Sequence, residues 1–138
     1  MLQELDIRTS IVQLISEIGM LATTKGLLKE AEVIAQAVRQ IRPDQVEPVV
    51  AHALVRIASP VPETAIPFLE EVLKTDPEHP RAFVFLAVAR LKAGYRHEAF
   101  TNLEAVMQGK VRSDAECRQL AEALLVEEFN WRNQDDVD

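Results

Sequence analysis

Apolar residues recur along most of this chain at the three- and four-residue spacing of amphipathic helices. Two such segments flank Gly26, and the second of them ends near Val38. The same order of segment, turn and segment follows from Val46 and again from Pro80. The pattern therefore predicts three pairs of helices, each pair joined by a short turn.

The three pairs align with one another at a spacing of 34 residues. Two of the aligned positions hold only small residues and a third holds only valine: Gly19, Ala53 and Ala87; Ala31, Ala65 and Ala99; Val38, Val72 and Val106. A proline ends the second helix of the first two pairs, at Pro43 and Pro77. A fixed period of this length is typical of helix-turn-helix repeats that stack into a solenoid.

We therefore predict an all-α fold, a helix-turn-helix solenoid of three repeats followed by a C-terminal capping helix. The repeats span residues 12–45, 46–79 and 80–113, and the capping helix spans residues 113–130, in a single domain of residues 1–132. Ser113 and Glu116 have the spacing of a capping box. The capping helix carries an apolar stripe that would cover the open end of the array: Leu120, Ala121, Leu124, Leu125 and Phe129. Residues 133–138 form a polar, acidic tail.

One proline conflicts with the simple pattern. Pro67 falls early in the second helix of the second repeat, and a proline deeper inside a helix costs ~3 kcal/mol or more. We expect this helix to begin at about Glu63 or later, or to bend there.

Composition narrows the classes of partner and compartment. The formal charge is −7 and no cluster of Lys and Arg is found, which argues against a nucleic-acid partner and against an anionic membrane surface. No segment is long and apolar enough to be inserted in a membrane, and the first residues do not have the pattern of a signal peptide. Cys117 is the single cysteine, so no disulfide forms within the chain and a reducing, cytoplasmic compartment is expected.

The aligned positions resemble those of the tetratricopeptide repeat (TPR) family over residues 12–113. The small residues and the terminating prolines named above occupy the positions that define that family. The chain departs from the family pattern in three ways. Val111 stands where the third repeat would have the terminating proline. The aromatic residue of the first helix survives only as Phe83, and Ala22, Arg56 and Arg90 stand where tyrosine is frequent. The resemblance implies a protein-binding scaffold with a concave groove lined by the first helix of each repeat.

A narrower resemblance covers part of the first repeat. The stretches Gly26 to Glu32 and Ile41 to Asp44 are similar to the first repeat of small Hrp-type accessory proteins of bacterial type III secretion. This resemblance implies a cytoplasmic chaperone for a secreted or needle-forming subunit.

The TPR resemblance also implies which residues line the groove. The first repeat supplies Ser16, Glu17, Met20 and Thr23, and the second and third supply an apolar floor: Val50, Ala51, Leu54, Ile57, Val84, Phe85, Val88 and Leu91. Arg81 is the one cation at the positions that hold an acidic tail in other TPR proteins, and binding a terminal carboxylate needs several donors. We predict that the groove binds an apolar or amphipathic helix of a partner protein, with Arg81 orienting it. The alternative is a self-associating structural protein whose groove is filled by its own N- or C-terminal segment or by a second copy.

No pattern of catalytic or metal-binding residues is found in the sequence, so we predict no enzyme activity, no cofactor and no metal site. The histidines lack the i, i+4 pairing that binds zinc on a helix. His52 lies at a core-facing position, where a hydrogen-bonded structural role is expected. His79 and His97 are expected at turns in contact with solvent, and Cys117 is expected to be a small core thiol.

Overall fold

The computed structural model describes the backbone of residues 2–131 and, apart from Leu14, the side chains of residues 11–131. The acidic tail predicted at residues 133–138 lies outside the described residues. Within residues 2–131 there are seven α-helices and no β-strand, which confirms the predicted all-α fold: α1 (Leu2–Thr24), α2 (Leu28–Ile41), α3 (Glu47–Ala58), α4 (Ile66–Thr75), α5 (Pro80–Ala93), α6 (Arg96–Met107) and α7 (Ala115–Phe129). A short 3-10 turn, Pro62–Ala65, precedes α4.

The helices pack in the order in which they follow one another along the chain. Each helix contacts the next, and the odd-numbered helices also contact one another in succession, α1 with α3, α3 with α5 and α5 with α7. Among the described residues, the backbones of the even-numbered helices do not approach one another as closely. When one set of helices in an array packs more closely together than the other set, the array curves toward the closely packed set. The odd-numbered helices α1, α3 and α5 therefore lie on the concave side.

Polar contacts join residues that are one repeat period apart. Arg81 donates a hydrogen bond from NH1 to Oε2 of Glu47 at 3.0 Å, and the two residues are 34 positions apart. The backbone N–H of Arg112 donates to Oε1 of Glu78 at 3.1 Å, again across 34 positions. Equivalent residues of successive helix pairs therefore lie side by side, as they do in a stacked array.

The small residues of the repeat lie where helices approach most closely. Ala31, Ala65 and Ala99 are fully buried. A Cβ atom built at Gly19 would lie 2.9 Å from Cγ2 of Ile34, closer than van der Waals contact allows. Glycine at this position therefore permits α1 and α2 to pack together.

Two large apolar cores fill the successive interfaces after the first helix pair. The α3–α5 core is formed by residues from α3, α4, α5 and the 3-10 turn, including Val50, Leu69 and Leu86. The α5–α7 core includes Val84, Leu103 and Leu125. The interface among α1, α2 and α3 holds a smaller cluster made of Ala22, Ala31 and Val55, with Ala35 packed against it. Among the described side chains, the buried cluster of the first interface is thus smaller than the other two cores.

The turns agree with the sequence pattern at the glycines and at the unusual proline. Gly26 and Gly94 have φ values of +77° and +96°, a conformation that residues with a Cβ atom rarely adopt. Pro67 lies in the first turn of α4, where no hydrogen bond of the helix is lost. The helix begins at Ile66, so the expectation of a start at Glu63 or later is confirmed.

The last helix begins one residue later than the predicted capping box. Asp114, and not Ser113, is the N-cap residue, because its side chain accepts a hydrogen bond from the backbone N–H of Cys117 at 2.8 Å. One side of α7 contributes buried residues to the α5–α7 core, and the opposite side carries exposed polar residues such as Arg118 and Gln119. This arrangement is suited to covering the end of an array.

Two leucines of α7 provide a matched test of this packing. Leu125 is fully buried and Leu120 is 37% exposed. We expect Leu125→Ala to lower the free energy of unfolding by ~2–5 kcal/mol, since it leaves a cavity in the core. Leu120→Ala should cost less than ~1 kcal/mol. Urea denaturation measures both, and equal effects would show that α7 is not docked as described.

Candidate functional site

The structure buries three of the residues predicted for the groove floor. Val50 and Ile57 belong to the α3–α5 core and Val84 belongs to the α5–α7 core. These side chains point from one odd helix toward the interface with the next, so a partner cannot touch them while the helices stay packed. Their placement on an open groove floor is therefore wrong. Leu91, one period after Ile57, is half-buried.

The remaining predicted residues share a different face of the odd helices. Leu54, Phe85 and Val88 are half-buried, and Phe85 and Val88 pack against the edge of the α3–α5 core. The equivalent positions in the other odd helices of the repeats hold exposed Met20 in α1 and half-buried Ala51 in α3. We call the surface formed by Met20, Ala51, Leu54, Phe85 and Val88 the inner face.

An ion pair lies beside the inner face at the N-terminal ends of α3 and α5. Arg81 is exposed, its guanidinium bonds Glu47, and the same guanidinium lies 5.6 Å from the ring centre of Phe85. His79 caps α5 by accepting from the backbone N–H of Ala82 at 3.1 Å, and its Nε2 lies 3.1 Å from Oε1 of Glu47. His79 thus lies in the turn before α5, as predicted, and it is held there by two partners.

A pocket of about 310 Å³ opens on the inner face between α1, α2 and α3. Most of its wall is apolar, and its lining includes Met20 and Ala51 of the inner face together with Glu47 and Arg81. The other lining residues belong to the first repeat and to α3: Val12, Ser16, Gly19, Ala31, Ile34, Ala35, Val38, Gln45, Pro48 and Val55. Ligand pockets in proteins are typically of this size or somewhat larger.

The sequence analysis missed this pocket, although a signal for it exists. Position 35 holds alanine where the second and third repeats hold Leu69 and Leu103. Position 16 holds serine where they hold Val50 and Val84. A comparison of the repeats for lost side-chain volume, and not only for shared small residues, would have indicated a void.

A polar cluster joins α2, α3 and α4 on the side away from the inner face. His52, only 3% exposed, has its Nε2 2.7 Å from Oε1 of Glu32 and its Nδ1 3.1 Å from NH1 of Arg39. Since a guanidinium only donates, Nδ1 accepts and the proton is on Nε2. Arg56 donates from Nε and NH2 to the same Glu32 carboxylate at 3.0 and 2.6 Å. His52 is therefore a hydrogen-bonded structural residue, as the sequence predicted.

Phe68 of α4 covers this polar cluster. Its ring centre lies 4.9 Å from that of His52, and the guanidinium groups of Arg39 and Arg56 lie 5.0 and 5.3 Å from it. Cations at such distances are attracted by the face of an aromatic ring. One aromatic side chain therefore ties α4 to charged residues of α2 and α3.

The cluster fixes the charge states of its two titratable members. Hydrogen bonds from Arg56, and then from His52, lower the pKa of Glu32 from 4.5 to about 2, against an opposing effect of burial. Burial is the main cause that lowers the pKa of His52 below its ordinary 6.5, and the neighbouring Arg39 and Arg56 act in the same direction. Glu32 is therefore ionised and His52 neutral at pH 7.

Cys117 is buried in the α5–α7 core, as expected. Burial raises the pKa of its thiol to about 11, so the reactive thiolate is scarce at neutral pH. Among the described side chains, no group of three or more His, Cys, Asp and Glu residues is arranged to hold a metal ion. In the described part of the chain, no helix has the length and apolar character needed to span a bilayer.

Comparison of the chain with protein-family models, curated proteins and solved structures found no match. Interpretation of the inner face and pocket therefore depends on the internal repetition of the chain and on its geometry.

The His52 cluster predicts that stability falls on acidification. Both pKa values are lower in the folded protein than in the unfolded chain, so the unfolded chain takes up more protons in acid. The contribution of His52 is complete above pH 6.5 and is lost as the pH falls below that value. The contribution of Glu32 is lost between pH 4.5 and about pH 2.

Urea denaturation at pH 7.5 and 5.5 isolates the histidine part of this effect. We expect the parent protein to be less stable at pH 5.5 than at pH 7.5, because the unfolded chain protonates at His52 over this interval more readily than the folded protein does. His52→Gln should lose less, while His97→Gln, a change at an exposed histidine of α6, should lose as much as the parent. Equal losses in both variants would show that groups other than His52 carry the pH dependence.

Proposed function

We propose that this protein is a non-enzymatic, TPR-like scaffold that holds an amphipathic helix of a partner protein against its inner face. The observation that carries the proposal is the repetition of accessible apolar residues at one repeat position. Met20, Leu54 and Val88 follow one another at 34-residue intervals on three adjacent odd helices, and none of them is fully buried. A line of apolar anchors across adjacent helices is a feature of helix-binding grooves.

The spacing of the odd helices suits a helical ligand. Packed helices lie about 8–10 Å apart, and a helix advances about 10 Å in seven residues. A partner helix that crosses the odd helices would therefore bring its i and i+7 side chains to equivalent sites on neighbouring repeats. Leu54 and Val88 offer two such sites, and Phe85 supplies a large apolar contact beside the second.

Charge favours a partner with basic residues near its apolar stripe. The chain has a formal charge of −7, and long-range attraction of this kind raises association rates and helps select partners. Arg81 is paired with Glu47, which leaves no free group of cations at this edge of the inner face to recruit an acidic tail.

The resemblance of the first repeat to Hrp-type accessory proteins supports a chaperone role. A subunit that is secreted or polymerises outside the cell must keep an apolar helix covered beforehand, and the inner face would cover one. A needle-forming subunit in the cytoplasm of the same cell is the first partner to test.

Two inner-face variants test this function. Leu54→Glu and Phe85→Glu should abolish capture of the partner from lysate of the native host, because each places a charge in an apolar contact worth ~2 kcal/mol or more. Val33→Glu, at an exposed apolar position of α2, is the control and should capture the partner normally. Captured proteins are identified by mass spectrometry, and circular dichroism confirms that each variant stays helical. Normal capture by both glutamate variants would rule out the inner face.

A second candidate function, self-association, is favoured by a separate observation on α1. Ile11, Ile18 and Leu21 are about half-exposed, at 50%, 48% and 56%, and their spacing of seven and three residues places them on one face of the helix. Alternation of isoleucine and leucine at such spacing is typical of helices that pair in dimers. A second copy of α1 would cover this stripe.

Light scattering coupled to size-exclusion chromatography tests the second candidate. We expect the parent protein to elute as a dimer at micromolar concentration and Ile18→Glu to elute as a monomer. Leu54→Glu should remain a dimer, since it alters the inner face and not the outward stripe of α1. A monomeric parent protein would exclude pairing through α1 and leave the helix-binding proposal untouched.

A further inference from the structure

The pocket among α1, α2 and α3 is the open counterpart of two closed cores. Each interface lies between one helix pair and the odd-numbered helix that follows it. In all three interfaces, residues at the same positions of the repeat face inward. Leu69 lies in the second interface and Leu103 in the third, and both are fully buried. The equivalent residue of the first interface is Ala35, which lines the pocket.

A second position reinforces this difference. Val50 and Val84 face the second and third interfaces and are buried there. The equivalent residue Ser16 lines the pocket instead. The first interface thus lacks an isobutyl and an isopropyl group that its counterparts possess, while the flanking Ala31 and Val38 match their equivalents in both other repeats.

The void therefore lies where the other two repeats place apolar side chains. Atoms that line an empty space lose their van der Waals contacts on that side, so filling the space is favourable. Its wall is mainly aliphatic, and an apolar void of roughly 150 Å³ in another protein is known to bind benzene. The volume of about 310 Å³ here is ample for the side chain of leucine or phenylalanine.

The pocket is reached from the inner face. Met20 and Ala51 belong both to its lining and to the inner face, and the Glu47–Arg81 pair lies at the same opening. A helix lying across Leu54 and Val88 would extend to Met20 at the neighbouring repeat. One of its apolar side chains would then stand over the opening.

We propose that a leucine-sized or phenylalanine-sized side chain of the partner helix enters this pocket and completes the core of the first repeat. This inference depends on the proposed helix-binding function and specifies its chemistry, because it requires one large apolar anchor in the partner. In the second and third interfaces the chain fills the equivalent place with its own leucine side chains, Leu69 and Leu103.

Toluene, the side chain of phenylalanine with one added hydrogen, is a probe that needs no identified partner. Methyl resonances of Val12, Ile34, Val38 and Val55, which line the pocket, should shift on titration with toluene. Ala35→Leu restores the residue of the other repeats and should weaken toluene binding at least about tenfold. The same variant should raise the melting temperature by about 3 °C or more.

Two further variants make the outcome unambiguous. Ala123→Leu is the same chemical change at an exposed position of α7, and it should leave both toluene binding and melting temperature unchanged. Ser16→Leu places an isobutyl group in the pocket from α1, and it should reproduce the loss of toluene binding even if Ala35→Leu is poorly tolerated.

The partner assignment is tested by the affinity for the protein that the inner face captures. Ala35→Leu should weaken that affinity by about 10- to 100-fold, and Ala123→Leu should not change it. If toluene shifts none of these methyl resonances, the pocket does not bind apolar groups and the proposed anchor site is wrong. The proposal that the inner face binds a helix would still be tested separately by Leu54→Glu. Toluene binding with unchanged partner affinity would overturn the anchor assignment alone. A parent dimer that Ala35→Leu converts to a monomer would assign the pocket to a second copy and overturn the proposed partner.

Discussion

The architecture depends on how closely paired helices can approach each other. At Gly19 the space for a Cβ atom is already occupied by Ile34, and the buried alanines Ala31, Ala65 and Ala99 recur at one position of all three repeats. Larger residues there would separate the helices and break the contacts of the odd helices with one another. The concave arrangement of α1, α3 and α5, and with it the inner face, follows from these small side chains.

The sequence predicted the helices well because their apolar residues, glycines and prolines all indicate the same boundaries. It placed the inner face incorrectly by part of a helical turn. α3 and α5 are apolar on nearly every side, so the pattern alone does not distinguish residues facing the next odd helix, such as Val50 and Val84, from residues facing outward, such as Leu54 and Val88. Only the packing of the following helix decides between them.

Two other features depend on contacts that no local pattern records. The pocket arises from volume that is absent at Ala35 and Ser16, and a search for shared residues passes over such positions. The His52 cluster combines residues 13 to 24 positions apart, from α2 and α3, under a ring from α4. His52 stands at the repeat position of Leu86, so in the second repeat a neutral, hydrogen-bonded imidazole replaces the apolar contact of the third. Its cost in desolvation is offset by partners for both ring nitrogens.

The uneven filling of the three interfaces has a consequence for how the array unfolds. In a linear array, the stability of each repeat is the sum of its intrinsic free energy of folding and the free energies of its interfaces with the neighbouring repeats. The weakest of these interfaces, or borders, therefore opens first. The hollow interface leaves the border between α1–α2 and the rest of the array with less apolar packing than the two cores provide, while the Glu32–His52–Arg56 cluster holds this border by polar contacts. A ligand that fills the hollow would add apolar contacts between the first helix pair and α3, and would therefore stabilise this border.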